Sequence, residues 1–324
     1  DPLHFSQAQQ LFLDHKIKQL LLKRAIEPCQ SDPSGFLSTI FLVQKKNKKF
    51  RPVINLKVFN QFVVYHHFKM ETILLLKDFL QKEDWMVRLD LQDAYLSVPM
   101  HPFYRKFLQF QWGSEFFRFT TLPFGLASAP WCFTKLLKPV AAFLRTQGFR
   151  ILIYLDDFLL MAQDRNSLSS QLRVVLQLLQ DLGFQVNKEK SALIPSKQIQ
   201  FLGFIIDSSK TSLQLPPEKI SVIHKEIRFL LTHTFFTIRH LARMIGLLAS
   251  SIPAIFPGPL HYRALQRLKI RHLRQNFHYE DSLSLDQEAT TELHWWLDHL
   301  QEWNGRTIFP SPPDLVLESD ASLT

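Results

Sequence analysis

The residues with the clearest chemical meaning lie in the stretch 151–161, where Asp156 and Asp157 stand side by side inside an apolar run. The flanks are rich in Ile, Leu, Tyr and Phe, as buried strands are, and the Asp pair falls where a tight turn would join them. Like charges in a buried setting repel one another and are costly to desolvate. A divalent cation would resolve that conflict. An Asp-Asp turn between strands is also an ordinary structural feature, so the doublet alone leaves both readings open. A further carboxylate comes from residues 86–91, a strand-like run that leads into Asp90 and is followed by Gln92, Asp93, Ala94 and Tyr95.

Cations cluster upstream. Residues 45–49 carry Lys45, Lys46, Lys48 and Lys49, and with Arg51 the hairpin they form presents five positive charges. It reads either as a solvated basic turn or as a cradle for phosphate oxygens. A second basic run, with Arg263, Arg267, Lys269, Arg271 and Arg274, is open in the same way. The net charge of +9 favours a polyanionic partner. Two cysteines give no disulfide framework, and the 13 histidines show no metal-binding spacing. A reducing, intracellular setting is the expectation. No stretch of about 18 apolar residues lacks charge, so no membrane span is expected. No signal peptide is visible. The chain begins at Asp1, not Met, and reads as a fragment of something longer.

The elements that must position these groups follow from periodicity. Residues 6–27 read as an amphipathic helix with Leu11, Leu13, Ile17, Leu20, Leu21 and Ile26 inward, ended by Pro28. Strands are predicted over 37–43 and 50–56, and a hairpin over 107–112 and 116–120 about Gly113-Ser114. The turn-rich loop 121–130 opens a helix with Ser128 as its expected N-cap and Pro130 in its first turn. That helix runs to about residue 148, with a kink expected at Pro139. Another spans 166–182, stopped by Gly183. Residues 201–206 read as one strand. Beyond Leu215 the chain turns helical, over 217–231, 237–251 (capped by Thr237), 261–275 and 286–303. Pro310, Pro312 and Pro313 form a linker before a new strand over 315–320. A split β-α-β arrangement would set the strand ending at Asp90 beside the 151–161 hairpin, so that Asp90 and Asp156 converge.

Carboxylates at strand ends, a basic hairpin and a glycine-containing loop before a helix are the parts that phosphoryl transfer to a nucleotide needs. From about residue 36 to 206 the chain resembles a retroelement reverse transcriptase. Residues 41–51 are similar to the fingers motif, 88–100 to the first palm motif and 121–133 to the Leu-Pro-x-Gly loop. Tyr154-Leu-Asp-Asp157 matches the Tyr-x-Asp-Asp box, while 182–190 and 201–204 resemble the last two motifs. Six matches in the right order make the resemblance specific.

The resemblance implies an α+β, right-hand polymerase fold that adds deoxynucleotides to a primer 3′ end on an RNA or DNA template. Two Mg²⁺ ions, or Mn²⁺ in their place, would be held by Asp90, Asp156 and Asp157 and the backbone carbonyl of Leu91. Lys45 and Arg51 would contact the triphosphate. Asp93, Ala94 and Tyr95 would line the triphosphate and sugar pocket, with Tyr95 as the gate against a ribose 2′-hydroxyl. Phe124 and Gly125 would border the template base pair, although Tyr95 and Phe124 also read as core aromatics. Retroviral members carry Gln where Phe124 stands. Lys188 or Lys190 would donate a proton to pyrophosphate. Phe201, Leu202 and Gly203 would form the primer grip.

The implied domains are an N-terminal helix and linker (1–35), fingers and palm (36–210), a helical thumb and connection (211–309) and the start of a truncated ribonuclease H domain (310–324) with Asp320 as its first ligand. Within the retroelements the likeness is to the DIRS group, carried by residues 127–139 and 202–208 and by Trp295-Trp296-Leu297. The implied partners are a template-primer duplex and deoxynucleoside triphosphates, with the oligomeric state open. The rival from another class is a catalytically inactive, nucleic-acid-binding remnant of a retroelement. Ribonuclease H activity would belong only to a longer parent polyprotein.

Overall fold

Ser6 opens the first helix, α1 (Gln7–Leu22), by a reciprocal capping box with Gln9. The computed structural model describes residues 5–44, 50–276 and 278–309. They fall into two compact units. One comprises Asp1–Glu71, Leu89–Phe158 and Ser170–Leu193, and the other Thr72–Arg88, Leu159–Ser169 and Ile194–Thr324.

In the first unit α1 buries Leu13 and Ile17. The helix expected over 6–27 stops at Leu22, because Arg24 takes a φ of +55° and the chain turns into β1 (Ile26–Cys29). That strand pairs antiparallel with β7 (Glu115–Phe119), setting Ile26 opposite Phe119 and Pro28 opposite Phe117. Strand pairing gives these residues the backbone partners that a longer helix would otherwise supply. Pro28 is tolerated because β1 is an edge strand of the sheet ordered β1–β7–β6–β2. Here β2 is Leu37–Ser38 and β6 is Gln109–Trp112. Leu11, expected inward, is exposed, since a two-residue offset from Leu13 puts it on the opposite side of the helix. A hairpin of β3 (Ile40–Gln44) and β4 (Phe50–Ile54) completes this region. Its core gathers Leu13, Ile17, Ile26, Ile40, Ile54, Phe110 and Phe117.

The sheet that matters for chemistry has the order β10–β5–β9–β8, with β11 also pairing with β5. Its strands are β5 (Trp85–Gln92), β8 (Arg150–Tyr154), β9 (Asp157–Ala162), β10 (Gln185–Val186) and β11 (Ala192–Ser196). Adjacent β5 and β9 are separated in sequence by α3 (Ala129–Thr146) and β8, which is the split order expected. Ser128 does not cap α3. Its backbone is already helical, at φ −82° and ψ −9°, and its hydroxyl makes no capping bond, whereas a cap needs an extended residue. The next helix, α4 (Arg165–Asp181), ends before Gly183 at φ +83°.

In the second unit, α2 (Leu76–Phe79) is a single turn. The stretch expected as one strand over 201–206 is instead a hairpin of β12 (Gln198–Phe201) and β13 (Phe204–Asp207), turning at Leu202 and Gly203. Both turn residues have positive φ, +48° and +80°. The sheet continues through β14 (Ser212–Gln214) to β17 (Arg306–Thr307). Four helices follow β14: α5 (Pro217–Thr232), α6 (Ile238–Ala249), α7 (Arg263–Asn276) and α8 (Gln287–His299). They bury Ile227, Leu241, Met244, Leu265 and Trp296. As expected, Thr237 caps α6 by accepting the His240 N–H. A short pairing of β15 (Phe236–Thr237) with β16 (Ser282–Leu283) ties the ends of this layer. The basic run on α7 is partly answered by acids at the start of α8, Arg267 by Glu288 at 2.6 Å and Arg271 by Asp286 at 3.6 Å. Among the described residues, no helix is long and apolar enough to cross a membrane.

Candidate active site

Strand β5 alternates over its second half, from Arg88 to Gln92. Leu89 and Leu91 are buried in the core, so Asp90 faces the other side and is left half-buried. The backbone around Asp90 is fully engaged. Its N–H donates to the Ser191 hydroxyl at 3.0 Å, and its carbonyl accepts from Asn187 N–H at 2.8 Å. The next residue links the two halves of the site, because Leu91 N–H donates to the Asp156 carbonyl at 2.9 Å. Asp156 lies in the tight β8–β9 turn after Leu155, whose φ is +53°, and Asp157 is the first residue of β9. Sixty-odd residues of sequence separation are thus closed by one strand pairing. Burial, reinforced by the negative charge of Asp90, pushes the Asp156 carboxyl above the usual carboxylate range. Lys190 reaches Asp90 at 3.5 Å.

Of these groups, Leu91, Asp156, Asn187 and Lys190 border a cavity of about 460 Å³. Its walls come from α1 (Lys16, Gln19, Leu20, Lys23), β4 (residues 50–54), the end of β5 and the turn after it (residues 91–96), and Phe119, Phe124, Leu155, Asp156, Asn187 and Lys190. Asp93 takes a left-handed conformation at φ +50°, and its carboxylate pairs with Lys23 at 2.5 Å. Ala94 is buried in the following turn. Tyr95 packs its ring against Phe124 and Phe133, at 5.1 and 5.4 Å between centroids. Burial first, then the charges of Asp156 and Tyr154, push the Tyr95 hydroxyl up to about 12, so it stays protonated near neutrality. The Arg51 guanidinium lies over the Phe124 ring at 5.3 Å, which puts it in the same wall.

Gly125 sits at φ +99°, and a Cβ there would approach the Ile54 carbonyl oxygen to 3.3 Å. Both the conformation and the close approach call for glycine. Asn60 staples this loop, donating to the Gly125 carbonyl and accepting from Ala127 N–H, each at 2.8 Å.

The structure therefore brings together Asp90, Leu91, Asp93, Ala94, Tyr95, Arg51, Phe124, Asp156 and Lys190. Of the two lysines left open, Lys190 lines the cavity and Lys188 does not. Phe201, Leu202 and Gly203 form the β12–β13 turn of the second unit. Lys45 and Asp320 lie outside the described residues. Sequence reasoning missed Lys16, Gln19, Leu20 and Lys23, although their i, i+3, i+4, i+7 spacing marks one helical face. It also missed Asn60 and Asn187.

Among the described residues, no three His, Cys, Asp or Glu side chains gather closely enough to hold a metal by themselves. The donor set nevertheless suits a hard divalent cation. Mg²⁺ takes few protein carboxylates and completes its shell with phosphate oxygens and water. The proximity of Asp156 and Asp90 is the electrostatic conflict that such an ion relieves.

Comparison with known proteins follows the same line. The family model described as "Reverse transcriptase (RNA-dependent DNA polymerase)" matches residues 43–206, half of the chain. The retrovirus-related Pol polyprotein from transposon gypsy of Drosophila melanogaster is 28% identical over 221 residues, 66% of this chain. That from transposon opus of the same fly is 27% identical over 217 residues, 65% of the chain. The chain spans about a fifth of each polyprotein, 20% and 21% respectively. Among solved structures, a foamy viral protease-reverse transcriptase in complex with double-stranded DNA matches with a TM-score of 0.76 at 20% identity, over 93% of this chain and 50% of that one. A foamy viral protease-reverse transcriptase in complex with an RNA/DNA hybrid matches with a TM-score of 0.73, also at 20% identity, over 93% of this chain and 38% of that one. At this identity the likeness establishes the fold, the right-hand polymerase arrangement.

Proposed function

Because this chain belongs to the reverse transcriptase family, we propose that it carries the nucleotide-adding site of an RNA-directed DNA polymerase. The observation that carries this reading is the pairing that brings the strand end bearing Asp90 beside Asp156 at the cavity, through the Leu91 N–H bond to the Asp156 carbonyl at 2.9 Å. In the reaction a primer 3′-oxygen attacks the α-phosphorus of a deoxynucleoside triphosphate. The bond from that phosphorus to the bridging oxygen breaks, and pyrophosphate leaves.

Asp90 and Asp156, with the Leu91 carbonyl and Asp157, would hold two Mg²⁺ ions, or Mn²⁺. Bound there, the metals lower the pKa of the attacking hydroxyl and offset charge on the leaving phosphates. The remaining work belongs to the chain. Arg51 and, in the basic hairpin, Lys45 attract the triphosphate. Asp93, Ala94 and Tyr95 shape the sugar pocket, where a bulky Tyr95 ring held by Phe124 and Phe133 excludes a ribose 2′-hydroxyl. Lys190 holds a proton near the site, available to the leaving pyrophosphate. Phe124 and Gly125 flank the base pair, and Phe201, Leu202 and Gly203 grip the primer.

The remaining assignments share this footing. Residues 36–210 would be fingers and palm, 211–309 thumb and connection, and 310–324 the start of a ribonuclease H domain with Asp320 as its first ligand. The partner would be a template-primer duplex, met inside the cell. The subgroup we infer is DIRS, on the phrases at 127–139, 202–208 and Trp295-Trp296-Leu297. A parent gene that continues past Thr324 into ribonuclease H and a tyrosine recombinase would support it, and an integrase in the recombinase's place would refute it.

Primer extension on an RNA template tests the activity. Incorporation by the parent chain and its loss in Asp156→Asn are expected. Equal extension by both would remove Asp156 from the mechanism, and duplex binding without any incorporation by the parent would favour the inactive remnant.

A further inference from the structure

The cavity wall contributed by α1 lies upstream of the residues that the family model matches, 43–206, and neither the motifs nor the proposed mechanism accounts for it. Lys16, Gln19, Leu20 and Lys23 form one face of the helix, and two of the four are cations. Lys16 is tied within the helix, donating to Gln19 at 2.7 Å. Lys23 instead leaves the helix and pairs with Asp93 at 2.5 Å, across 70 residues of sequence. It is the C-cap residue of α1, and the backbone beyond it is held firmly. Thr120 N–H donates to the Ala25 carbonyl at 3.0 Å, the Thr120 hydroxyl donates to the Arg24 carbonyl at 2.5 Å, and Arg24 bears the positive φ that sends the chain into β1. A non-glycine residue persists in that conformation only where its surroundings impose it.

The electrostatics of the cavity give this arrangement a purpose. A nucleoside triphosphate arrives with several negative charges, and the walls expose the carboxylates of Asp93 and Asp156 to it. Asp156 belongs to the acidic pair suited to metal. Asp93 is one residue past β5, and its charge would oppose the same ligand without compensation. Lys23 supplies that compensation.

We propose that Lys23 is a positioning residue of the nucleotide site, which by neutralising Asp93 keeps the cavity receptive to the triphosphate of the incoming nucleotide. This rests on the nucleotidyl-transfer reading above. The N-terminal helix is then a working wall of the site and not only a cover for the sheet.

Steady-state incorporation by the 324-residue chain on a fixed template-primer separates the possibilities. Lys23→Gln raises the KM for deoxynucleotide about three- to tenfold at low salt and leaves kcat unchanged, the size expected for losing one partly exposed charge pair. The difference shrinks as salt is added. Lys23→Arg keeps the parental KM. In an Asp93→Asn background, Lys23→Gln causes no further rise in KM, because the charge to be neutralised is gone. An unchanged KM in Lys23→Gln overturns the proposal, as does a rise that recurs in the Asp93→Asn background or a fall in melting temperature that alone explains the loss. Titration with a fluorescent triphosphate, mant-dATP, keeps the two levels apart. A parent that neither extends primer nor binds the probe sinks the polymerase reading and this inference with it. A parent that binds the probe no better than Lys23→Gln sinks this inference alone.

Discussion

Two hairpins in this chain are built alike and put to different use. The β8–β9 turn and the β12–β13 turn each have two residues between strands, and each begins with a leucine at positive φ, +53° at Leu155 and +48° at Leu202. Their second residues differ. Gly203 adopts φ +80° with nothing within 4 Å of where a Cβ would stand, so the turn takes both positive values as tight hairpins prefer. Asp156 occupies the matching place in the first unit, where the residue must present a carboxylate to the cavity and a carbonyl to Leu91 N–H. Glycine could supply the carbonyl but not the carboxylate. Both turns keep the strain of a left-handed leucine, on the order of 1 kcal/mol or more, and at Leu155 it accompanies the placement of Asp156. The two turns therefore share a left-handed leucine and differ in the residue after it, an aspartate at the proposed metal site and a glycine at the proposed primer grip.

Substitutions can break this comparison or sharpen it. The largest contrast is in turnover. Asp156→Asn should lower single-turnover incorporation on the order of 10³-fold with duplex binding retained. Gly203→Ala, which meets no neighbour but strains a positive φ, should cost about 1 kcal/mol of stability, read as a lower urea midpoint. A smaller difference is expected between the two leucines. Leu155→Val puts a β-branched residue into the left-handed region and should destabilise the chain by about 1 kcal/mol. Leu202→Asn creates an Asn-Gly turn and should stabilise it by about 0.5 kcal/mol, with the two shifts opposite in sign in one denaturation series. The least effect concerns the two cysteine thiols. Burial pushes both Cys29 and Cys132 upward, so a maleimide at about pH 7 should label them more slowly than free cysteine.

Much of this was legible in the sequence because the signals were local and strong. Asp90 and Asp156 each interrupt an apolar run, and the order strand, hairpin, helix, hairpin already implies the adjacency of β5 and β9. What escaped was decided by partners distant in sequence. Nothing in residues 6–27 reveals that the last two, Ile26 and Glu27, will pair with β7, and that pairing overrides the helical pattern at Arg24. Phe201-Leu-Gly-Phe204 reads as strand because its two phenylalanines favour one, while the turn is set by two positive φ values. Lysines are interchangeable in a sequence. Only the fold distinguishes Lys190 at Asp90 and Lys23 at Asp93 from Lys188, which is exposed away from the cavity.

We propose that Asp90 and Asp156 converge to hold a divalent metal for nucleotide addition. Crystals of the chain grown with a template-primer, a deoxynucleoside triphosphate and Mn²⁺ would report on this directly through anomalous scattering. A peak shared by the Asp90 and Asp156 carboxylates, and missing in Asp156→Asn, is the expected result. A nucleotide bound in the cavity with no manganese at these two carboxylates would contradict it.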